Sequence, residues 1–491
     1  MAKRKQGLNP MLLTIVIREI FESIYSYRFL FFLIISATLI PIGLYVNEVS
    51  YSKRLGEYDE QKRLENKALS SSQKWDLMSG TVPLKGFLEP SPLAVFAQGL
   101  EGSLPQSYTF KPGGYEKGAV PSGKGSIPSE LGELNFAFMV QLVVSLIVLI
   151  FGADVVSGEK ELGTLRSVLS NSVPRDTVLF GKLIGGYAAI WFPFALALVA
   201  GILVLSFTPF PLYDKEILVR VLLIFAASSG FILIYFLIGI MISSCTARTR
   251  TSLIAIVVVW TFLQLIVPKV SNIVVALAYP IKTETVVSVE KSLAMNTLEN
   301  EKSKVLGKQY QEIFGVDTAS ASGNEPSARE LQWRSFKDEI VQTYEKKETE
   351  DIRFIDQDYE REKAIQQRIE TGISLISPSA AFDYIMTDLC STGISDKEKY
   401  VEAVKTYQNT LDRELFDLVE RTTLTFPSGR TAAFMSIGNV QDMKSLPSFS
   451  VPRAGLSEIF RNNMGSLTSL TLWLIVPLAV AYKRFLKYDV R

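Results

Sequence analysis

The chain has 491 residues, of which 48% are hydrophobic and 21% charged, and its formal net charge is +1. The length exceeds that of one ordinary domain, and a balanced charge gives no reason to expect nucleic acid as a partner. The absence of histidine and the presence of only two cysteines exclude a Ser-His-Asp triad, an HExxH zinc site and a zinc site built from cysteines alone.

Residues 9–27 predict an amphipathic helix that lies in a membrane interface. Apolar residues recur at helical spacing from Leu13 to Ile24, and the charged residues of the segment lie away from the centre of that stripe. Such a helix buries its apolar face at the boundary between lipid head groups and acyl chains. A cytosolic helix packed on a partner is the alternative interpretation.

Six apolar segments follow that are long enough, and poor enough in charge, to cross a membrane as helices. They cover residues 29–46, 136–156, 183–207, 219–243, 253–279 and 467–482. Pro268 and Lys269 interrupt the fifth segment, which predicts a broken or re-entrant end instead of a straight helix. The sequence therefore predicts an all-α polytopic membrane protein with six transmembrane helices.

Basic residues predict the orientation of these helices. Lys and Arg occur in the N-terminal segment, after the second and fourth helices, and at the C-terminus, and six spans put all four positions on one side. By the positive-inside rule that side is the cytoplasm, so both termini are predicted to be cytoplasmic in a multi-pass protein of the cell (inner) membrane. This topology places Cys245 and Cys390 on opposite sides of the membrane, where they cannot pair.

Two large polar regions, residues 47–134 and 280–461, lie outside the cytoplasm in this topology. The first begins as a charged helix and then becomes rich in Gly, Pro and Ser, which predicts a mixed α/β domain with turns and short strands. The second has apolar residues every three or four positions among mixed charges, which predicts a mainly helical domain. Its charged faces are interpreted as solvated, and a docking surface for an extracytoplasmic partner is the alternative.

The most densely patterned cytoplasmic segment is residues 157–182, between the second and third apolar segments. Gly158 and Gly163 can break the helix that leaves the membrane, because glycine adopts backbone conformations that other residues avoid. Thr164 can then cap a new short helix.

The new helix has one apolar face, formed by Leu165, Val168 and Leu169 at helical spacing, and Arg166 lies on another face. A short helix with a single apolar stripe suits insertion into a groove on a cytoplasmic partner. Two acidic side chains are expected at the membrane edge, facing either the partner or the interfacial helix: Glu159 and Glu161. An ordinary cytoplasmic loop is the alternative.

Together these residues form a specific motif. Residues 159–166 read EKELGTLR, and Leu169-Ser170, Val173-Pro174-Arg175 and Gly181-Lys182 follow. This string resembles the signature of ABC-2 type transporter permeases, in which it forms the coupling helix that contacts the ATP-hydrolysing subunit. The family also has an N-terminal interfacial "elbow" helix, six spans and a broken fifth span. The resemblance implies the following coupling residues: Glu159, Glu161, Gly163, Thr164, Leu165, Arg166, Val168 and Leu169.

The resemblance implies a non-catalytic membrane subunit, the permease of an ATP-driven exporter. ATP and Mg²⁺ would be bound by a separate cytoplasmic ABC ATPase dimer, and this chain would bind no cofactor. A second permease half, identical or homologous, would complete a dimer. The chain's own P-loop-like sequence, residues 118–125, lacks the Ser or Thr that must follow its lysine, which supports a separate ATPase.

Residues 91–102 and 376–393 resemble segments of one branch of this family, the large-ectodomain permeases found with nitrous-oxide reductase maturation and gliding-motility systems. The alternative function is that of a mechanotransmission or signalling protein, in which a cytoplasmic ATPase moves the ectodomains without passage of a substrate. The large size of the polar regions and the small number of polar residues in the apolar segments favour this alternative. A membrane enzyme is disfavoured, because the sequence has no histidine and no clustered acid pair within the apolar segments.

Three polar residues within the apolar segments are candidates for a translocation path: Gln141, Asp154 and Gln264. An acid in a spanning helix is a functional candidate by default. The alternative for Asp154, which lies near the end of its segment, is an interfacial acid paired with a nearby Lys or Arg. The alternative for the two glutamines is a hydrogen bond between helices.

These assignments predict six regions along the chain. They are a cytoplasmic tail with the elbow helix at 1–28, the first transmembrane helix at 29–46, an extracytoplasmic domain at 47–134, transmembrane helices two to five with the coupling helix (157–182) at 135–279, a helical extracytoplasmic domain at 280–461, and the sixth transmembrane helix with a cytoplasmic tail at 462–491.

Overall fold

A computed structural model describes residues 10–71, 84–111, 114–118, 135–170, 174–315, 328–421 and 449–488. The P-loop-like sequence lies, after Gly118, outside the described residues. The chain divides into two compact units, the first formed by Met1–Val267 with Leu375–Arg491 and the second by Pro268–Ser374.

Most of the described residues are helical. In chain order the helices are α1 Pro10–Ile24, α2 Tyr27–Ser71, α3 Phe136–Met139, α4 Ser145–Gly152, α5 Ser157–Leu162, α6 Thr164–Ser170, α7 Arg175–Ser206, α8 Lys215–Cys245, α9 Thr249–Thr261, α10 Val267–Ala278, α11 Glu284–Phe314, α12 Ala328–Ser374, α13 Pro378–Leu389, α14 Ile394–Arg421, α15 Leu456–Asn462 and α16 Met464–Leu486. Two π-helical turns, Val140–Val144 and Phe262–Ile266, join α3 to α4 and α9 to α10.

Within the described residues, six helices are long and apolar enough to cross a membrane, which confirms the predicted number of spans. They are Tyr27–Leu69, Phe136–Leu162, Arg175–Ser206, Lys215–Cys245, Thr249–Ala278 and Met464–Leu486, called spans one to six below. The predicted interfacial helix is α1, and its exposed apolar side chains include Leu13, Ile17 and Phe21. The fold is therefore that of a mostly helical, polytopic membrane protein.

The fifth span is continuous through Pro268 and Lys269, whereas the sequence predicts a break there. The irregularity is instead the π-helical turn at Phe262–Ile266, immediately before the proline. The carbonyl of Leu263 in this turn accepts a hydrogen bond from Ser377 Oγ at 2.6 Å. Because a side-chain hydroxyl can bond a carbonyl that a helix irregularity leaves without its usual partner, the helix can tolerate a proline at this depth.

Residues 47–134 and 280–461, called the first and second insertions, share a small core in the first unit. Strands β1 (Leu84–Phe87), β2 (Ser107–Lys111) and β3 (Gly114–Lys117) form an antiparallel sheet in that order, with Gly86 opposite Tyr108 and Phe110 opposite Tyr115. Alternate residues of β2 face the core. The rings of Tyr108 and Phe110 pack against Tyr400 and Tyr407 of α14, at centroid distances of 5.4 and 4.6 Å.

The second unit contains α11 and α12, which pair as antiparallel helices. Glu284 near the start of α11 lies 3.5 Å from Lys363 near the end of α12. Tyr310, near the other end of α11, contacts Trp333 with 5.2 Å between ring centroids. The spacing of apolar and charged residues in the sequence predicts such a pair.

Candidate functional site

The predicted coupling segment folds as two short helices, α5 and α6, with a sharp turn between them. Gly163 ends α5 in the left-handed region, at φ +74°, where a side chain would strain the backbone. The hydroxyl of Thr164 donates to the Glu159 carbonyl at 3.4 Å. Gly163 is thus the break between the two helices, whereas Gly158 lies inside α5.

Glu159 belongs to a buried cluster of three charges. Lys182 of span three lies 2.8 Å from Glu159 Oε1 and 3.1 Å from Glu19 Oε2 of α1, and its side chain is 6% exposed. Burial raises the pKa of the Glu19 carboxyl above its ordinary value of 4.5, and the charge of Lys182 opposes that rise. One lysine therefore joins α1, α5 and span three, and Glu159 faces span three instead of solvent.

Two glycines let α1 approach span three closely. A side chain on Gly181 would lie 2.6 Å from Ile15 Cγ2, and one on Gly185 would lie 2.8 Å from the Val16 carbonyl oxygen. Gly181 is part of the predicted signature, whereas Gly185 is not. Small residues at such positions let helices pack at backbone distance, and this contact brings Glu19 within reach of Lys182.

The next two charges of α5 bind the ends of spans four and five. Lys160 Nζ donates to the carbonyls of Ser244 and Thr246 at 2.6 and 3.0 Å, where span four ends. Glu161 Oε2 accepts from the Thr249 amide at 2.9 Å, where span five begins. Each sign suits its helix, because a cation is favoured at a helix C-terminus and an anion at an N-terminus.

Two further contacts complete the attachment of this segment. The hydroxyl of Ser243 in span four accepts from the backbone amides of Val156 and Ser157 at 3.1 and 2.9 Å. Arg175, at the start of span three, donates to the carbonyls of Leu486 and Tyr488 at 2.6 and 2.9 Å, where span six ends. The connection between spans two and three thus contacts the ends of spans four, five and six.

The apolar stripe of α6 is not a free face, although its sequence predicts one that inserts into a groove on a partner. Leu165 is fully buried in the core of the first unit, and Val168 is half-buried against that core. The side chain of Leu169 lies outside what the structure describes. Leu165 therefore anchors α6 to the rest of the chain, and the docking face expected from the sequence is at least partly an internal packing face.

Among the described side chains of α5 and α6, the exposed apolar one is Leu162, which the sequence pattern did not single out. It is 79% exposed, directly before the Gly163 turn. Glu161, Thr164 and Arg166 are exposed beside it. A sequence signal for its position exists, since a glycine commonly ends a helix and the residue before it then lies at the helix C-terminus.

The three candidates for a translocation path all hold partners within the chain. Gln141 Nε2 donates to Asp383 Oδ1 of α13 at 3.1 Å, and Gln264 Oε1 accepts from the Tyr235 hydroxyl at 2.9 Å. Asp154 lies 2.6 Å from Arg28 Nη1, at the start of span one. These bonds correspond to the alternatives considered for the three residues, namely contacts between helices and an interfacial ion pair.

The two segments that resemble the large-ectodomain branch, residues 91–102 and 376–393, meet in the first unit. Ser91 Oγ donates to the Cys390 carbonyl at 2.7 Å, and Thr392 Oγ1 donates to the Ala97 carbonyl at 2.9 Å. The Leu100 amide donates to the Thr392 carbonyl at 2.8 Å. Among the described residues no group of three His, Cys, Asp or Glu could hold a metal ion.

A family model described as ABC-2 family transporter protein matches residues 13–490, which is nearly the whole chain. No curated protein matches the sequence.

Proposed function

Because the chain belongs to the ABC-2 transporter family, we propose that it is the membrane-spanning permease subunit of an ATP-driven exporter. In this proposal a separate ABC ATPase, acting as a dimer, binds ATP and Mg²⁺. The chain itself is non-catalytic and binds no cofactor. A second permease half, identical or homologous, completes the transporter.

The observation that carries this proposal is the attachment of α5. Its three consecutive charges contact span three, the end of span four and the start of span five. Through Lys182 it also reaches α1. A displacement of α5 by a partner would therefore reach several spans at once, because each contact is a short polar bond between α5 and a different helix.

The proposed contact with the ATPase is the exposed tip of the segment. Leu162 supplies an apolar side chain, and Glu161 and Arg166 supply charges of both signs beside it. Gly163 and Thr164 form the turn that presents them. Leu165 and Val168 act indirectly, by fixing α6 to the core, and Leu169 stays a predicted contact residue.

In the proposed orientation α5, α6 and both termini lie in the cytoplasm of a cell with the protein in its inner membrane. The basic residues around these segments support this orientation. The two insertions are then extracytoplasmic, and they belong to the proposed large-ectodomain branch. Gln141, Asp154 and Gln264 stay proposed contributors to a translocation path, which would require their present bonds to open.

A mechanotransmission protein is the second candidate, and one contact favours it. Arg220, near the other end of span four, is 2% exposed and donates to the Leu389 carbonyl, the Ser391 hydroxyl and the Ala454 carbonyl. Span four thus connects α5 to the second insertion. Transport of a labelled substrate by the reconstituted complex, measured against ATPase activity, separates the two functions.

The test of the docking tip is co-purification of an ABC ATPase co-expressed with the chain. Burying a leucine at an interface contributes about 1.5–3 kcal/mol, and an aspartate there would bury an unpaired charge. We expect Leu162→Asp to weaken binding of the ATPase more than about tenfold. The matched control is Tyr213→Asp, because Tyr213 is 98% exposed in the turn between spans three and four.

Loss of the ATPase in both variants would mean that the effect comes from expression or insertion. Full binding and full coupled ATPase activity in Leu162→Asp would exclude the tip as the docking element. Failure of the wild-type chain to retain any ABC ATPase would overturn the proposal itself.

A further inference from the structure

Helix α11 has an exposed face that contains no charged residue, although nine of its 31 residues are charged. The residues of this face recur at alternating steps of three and four positions. All seven are exposed, and together they are called the α11 stripe: Val286, Val289, Leu293, Asn296, Asn300, Ser303 and Gly307.

The α11 stripe lies on the side of the helix away from α12. Lys291 pairs with Asp356 of α12, and the helical spacing puts Lys291 on the side of α11 opposite the stripe. Val287, also off the stripe, is buried. Within the described residues the pairing with α12 leaves three apolar side chains of the stripe more than half exposed: Val286, Val289 and Leu293.

Lipid cannot cover the whole α11 stripe in the orientation that the proposed function assumes. Span five ends at Ala278, and α11 begins beyond it, outside the cytoplasm. From Val286 to Gly307 the stripe extends for about 30 Å along the helix. An apolar face that is exposed to water and rimmed by polar residues is typical of a protein interface.

The spacing of the stripe fits a second helix of the same kind. Apolar or uncharged residues at alternating steps of three and four, sustained over three heptads, are typical of a coiled coil. A second copy of the chain has the same topology, so its α11 leaves the membrane in the same direction. A two-fold axis along the membrane normal then brings the two stripes together as parallel helices. Asn296 and Asn300 would form polar layers, which fix the register of such a pair.

The charges beside the stripe are complementary in this arrangement. In a parallel coiled coil a flanking residue faces the residue five positions further along the other helix. Glu299 therefore faces Lys304 of the second copy, and the two-fold axis repeats the pair. Glu299 contacts Lys302 of its own helix, but its side chain is 59% exposed, so a second cation can approach it. The flanking pairs before and after it, Ser292 with Thr297 and Leu306 with Gln311, carry no charge.

We propose that α11 forms a parallel, two-stranded coiled coil with α11 of a second copy of this chain, in register along the α11 stripe. The inference rests on the proposed function for its topology and deepens it, because it makes the second permease half an identical chain. The contact itself needs no ATPase.

The first experiment is disulfide cross-linking of the full chain in membranes. The background is Cys245→Ser, since Cys245 is exposed and Cys390 is buried. Leu293→Cys and Asn300→Cys each place a cysteine in the stripe, where the two copies would lie within the roughly 4.4–6.8 Å between Cα atoms that a disulfide allows. The matched control is Glu301→Cys, the next exposed residue, which points about 100° away. We expect both stripe variants to give about tenfold more disulfide-linked dimer than the control.

A second substitution tests the packing of the stripe, with the yield of the Asn300→Cys cross-link as the readout. Leu293→Glu, one heptad away, would bury like charges from both copies in one layer and should lower that yield about tenfold or more. The control is Met295→Glu, because Met295 is 42% exposed on another face, and it should change the yield less than about twofold. Thermal unfolding reports whether each variant is folded.

Equal dimer yields from Asn300→Cys and Glu301→Cys would indicate random collision and overturn the proposal. Absence of the homodimer at both stripe positions would overturn it as well, whether another part of this chain or a different protein covers the stripe. A cross-linked product of another mass would identify the different protein. A stripe-specific homodimer that retains no ABC ATPase would support this inference and contradict the exporter, whereas ATPase retention without that homodimer would do the reverse.

Discussion

The cluster around Lys182 and the side chain of Asp396 differ in how a buried charge is neutralised. In the cluster, both acids share one buried lysine, and each charge comes from a different helix. Asp396 has no ion pair among the described residues, and its Oδ1 accepts only a long hydrogen bond, 3.4 Å, from the Ala454 amide. The cluster uses charge to hold helices together, whereas the charge of Asp396 is left largely uncompensated.

The largest effect is expected from Lys182→Met, which tests whether the buried charges of the cluster hold the helices together. It leaves Glu19 and Glu159 buried without a countercharge, and breaking a buried pair from one side costs about 3–5 kcal/mol. The measurement is thermal or denaturant unfolding in detergent. The control Lys215→Met removes an exposed lysine at the start of span four and should cost no more than about 0.5 kcal/mol.

A second substitution sharpens that result. Because burial already raises the pKa of Glu19, Glu19→Gln in the Lys182→Met background should recover part of the lost stability. Equal stability of Lys182→Met and Lys215→Met would show that the cluster does not hold the helices together.

The next effect concerns the anchor of α6. Leu165 is fully buried, and truncation of a buried leucine costs about 2–5 kcal/mol. We expect Leu165→Ala to lower the unfolding temperature clearly and Leu162→Ala, at a largely exposed side chain, to leave it nearly unchanged. A larger drop in unfolding temperature for Leu162→Ala than for Leu165→Ala would mean that Leu162, and not Leu165, anchors α6 in the core.

Asp396→Asn is expected to stabilise the folded protein, because burial disfavours the ionised form of this carboxylate. Burial raises the pKa of Asp396 from its ordinary value of 3.8 to about 6, the charge of Asp388 adds to the rise, and the Ala454 amide, Arg220 and Lys399 oppose it. The folded state therefore holds the proton more tightly, so this stabilisation is complete below pH 3.8 and is lost as the pH rises through about 6.

The asparagine variant stays neutral and should be more stable than the wild type at pH 8, with the difference vanishing near pH 4. A change of this size in pKa corresponds to at most about 3 kcal/mol in the free energy of unfolding. Partial exposure of the side chain reduces the expected gain in that free energy to about 1–2 kcal/mol. Unfolding temperatures of both proteins across this pH range test it. An asparagine variant that is less stable than the wild type at pH 8 would mean that the neighbours of Asp396 stabilise its ionised carboxylate by more than burial disfavours it.

The smallest effect is expected from Arg28→Met. The Arg28–Asp154 pair is 2.6 Å apart, but its side chains are 40% and 36% exposed, and such pairs contribute about 0–1 kcal/mol. The unfolding temperature of Arg28→Met, compared with that of Lys182→Met, separates the effect of burial from that of the distance between the paired charges. A cost as large as that of Lys182→Met would show that the membrane boundary buries this pair more deeply than the chain alone does.

Part of the candidate site could be predicted from the sequence because its signals are local. The Gly163 break and the charges of α5 are read from consecutive residues, and the motif at 159–166 indicates the family that the match over residues 13–490 shows. The partners of those charges could not be predicted. Lys182 and Glu19 are 163 positions apart, and nothing in the spacing of the sequence joins them.

The number of spans was determined by the sequence alone, because a membrane crossing depends on the length and hydropathy of one continuous segment. The helical periodicity of α1 and of α11 with α12 is local in the same way. Which face of a helix is buried is not local, since an apolar stripe fits a partner and the chain's own core equally well. Only the tertiary structure assigned Leu165 to the core and Leu162 to the surface, and only it brought Ser91 and Cys390, 299 positions apart, into hydrogen-bond contact.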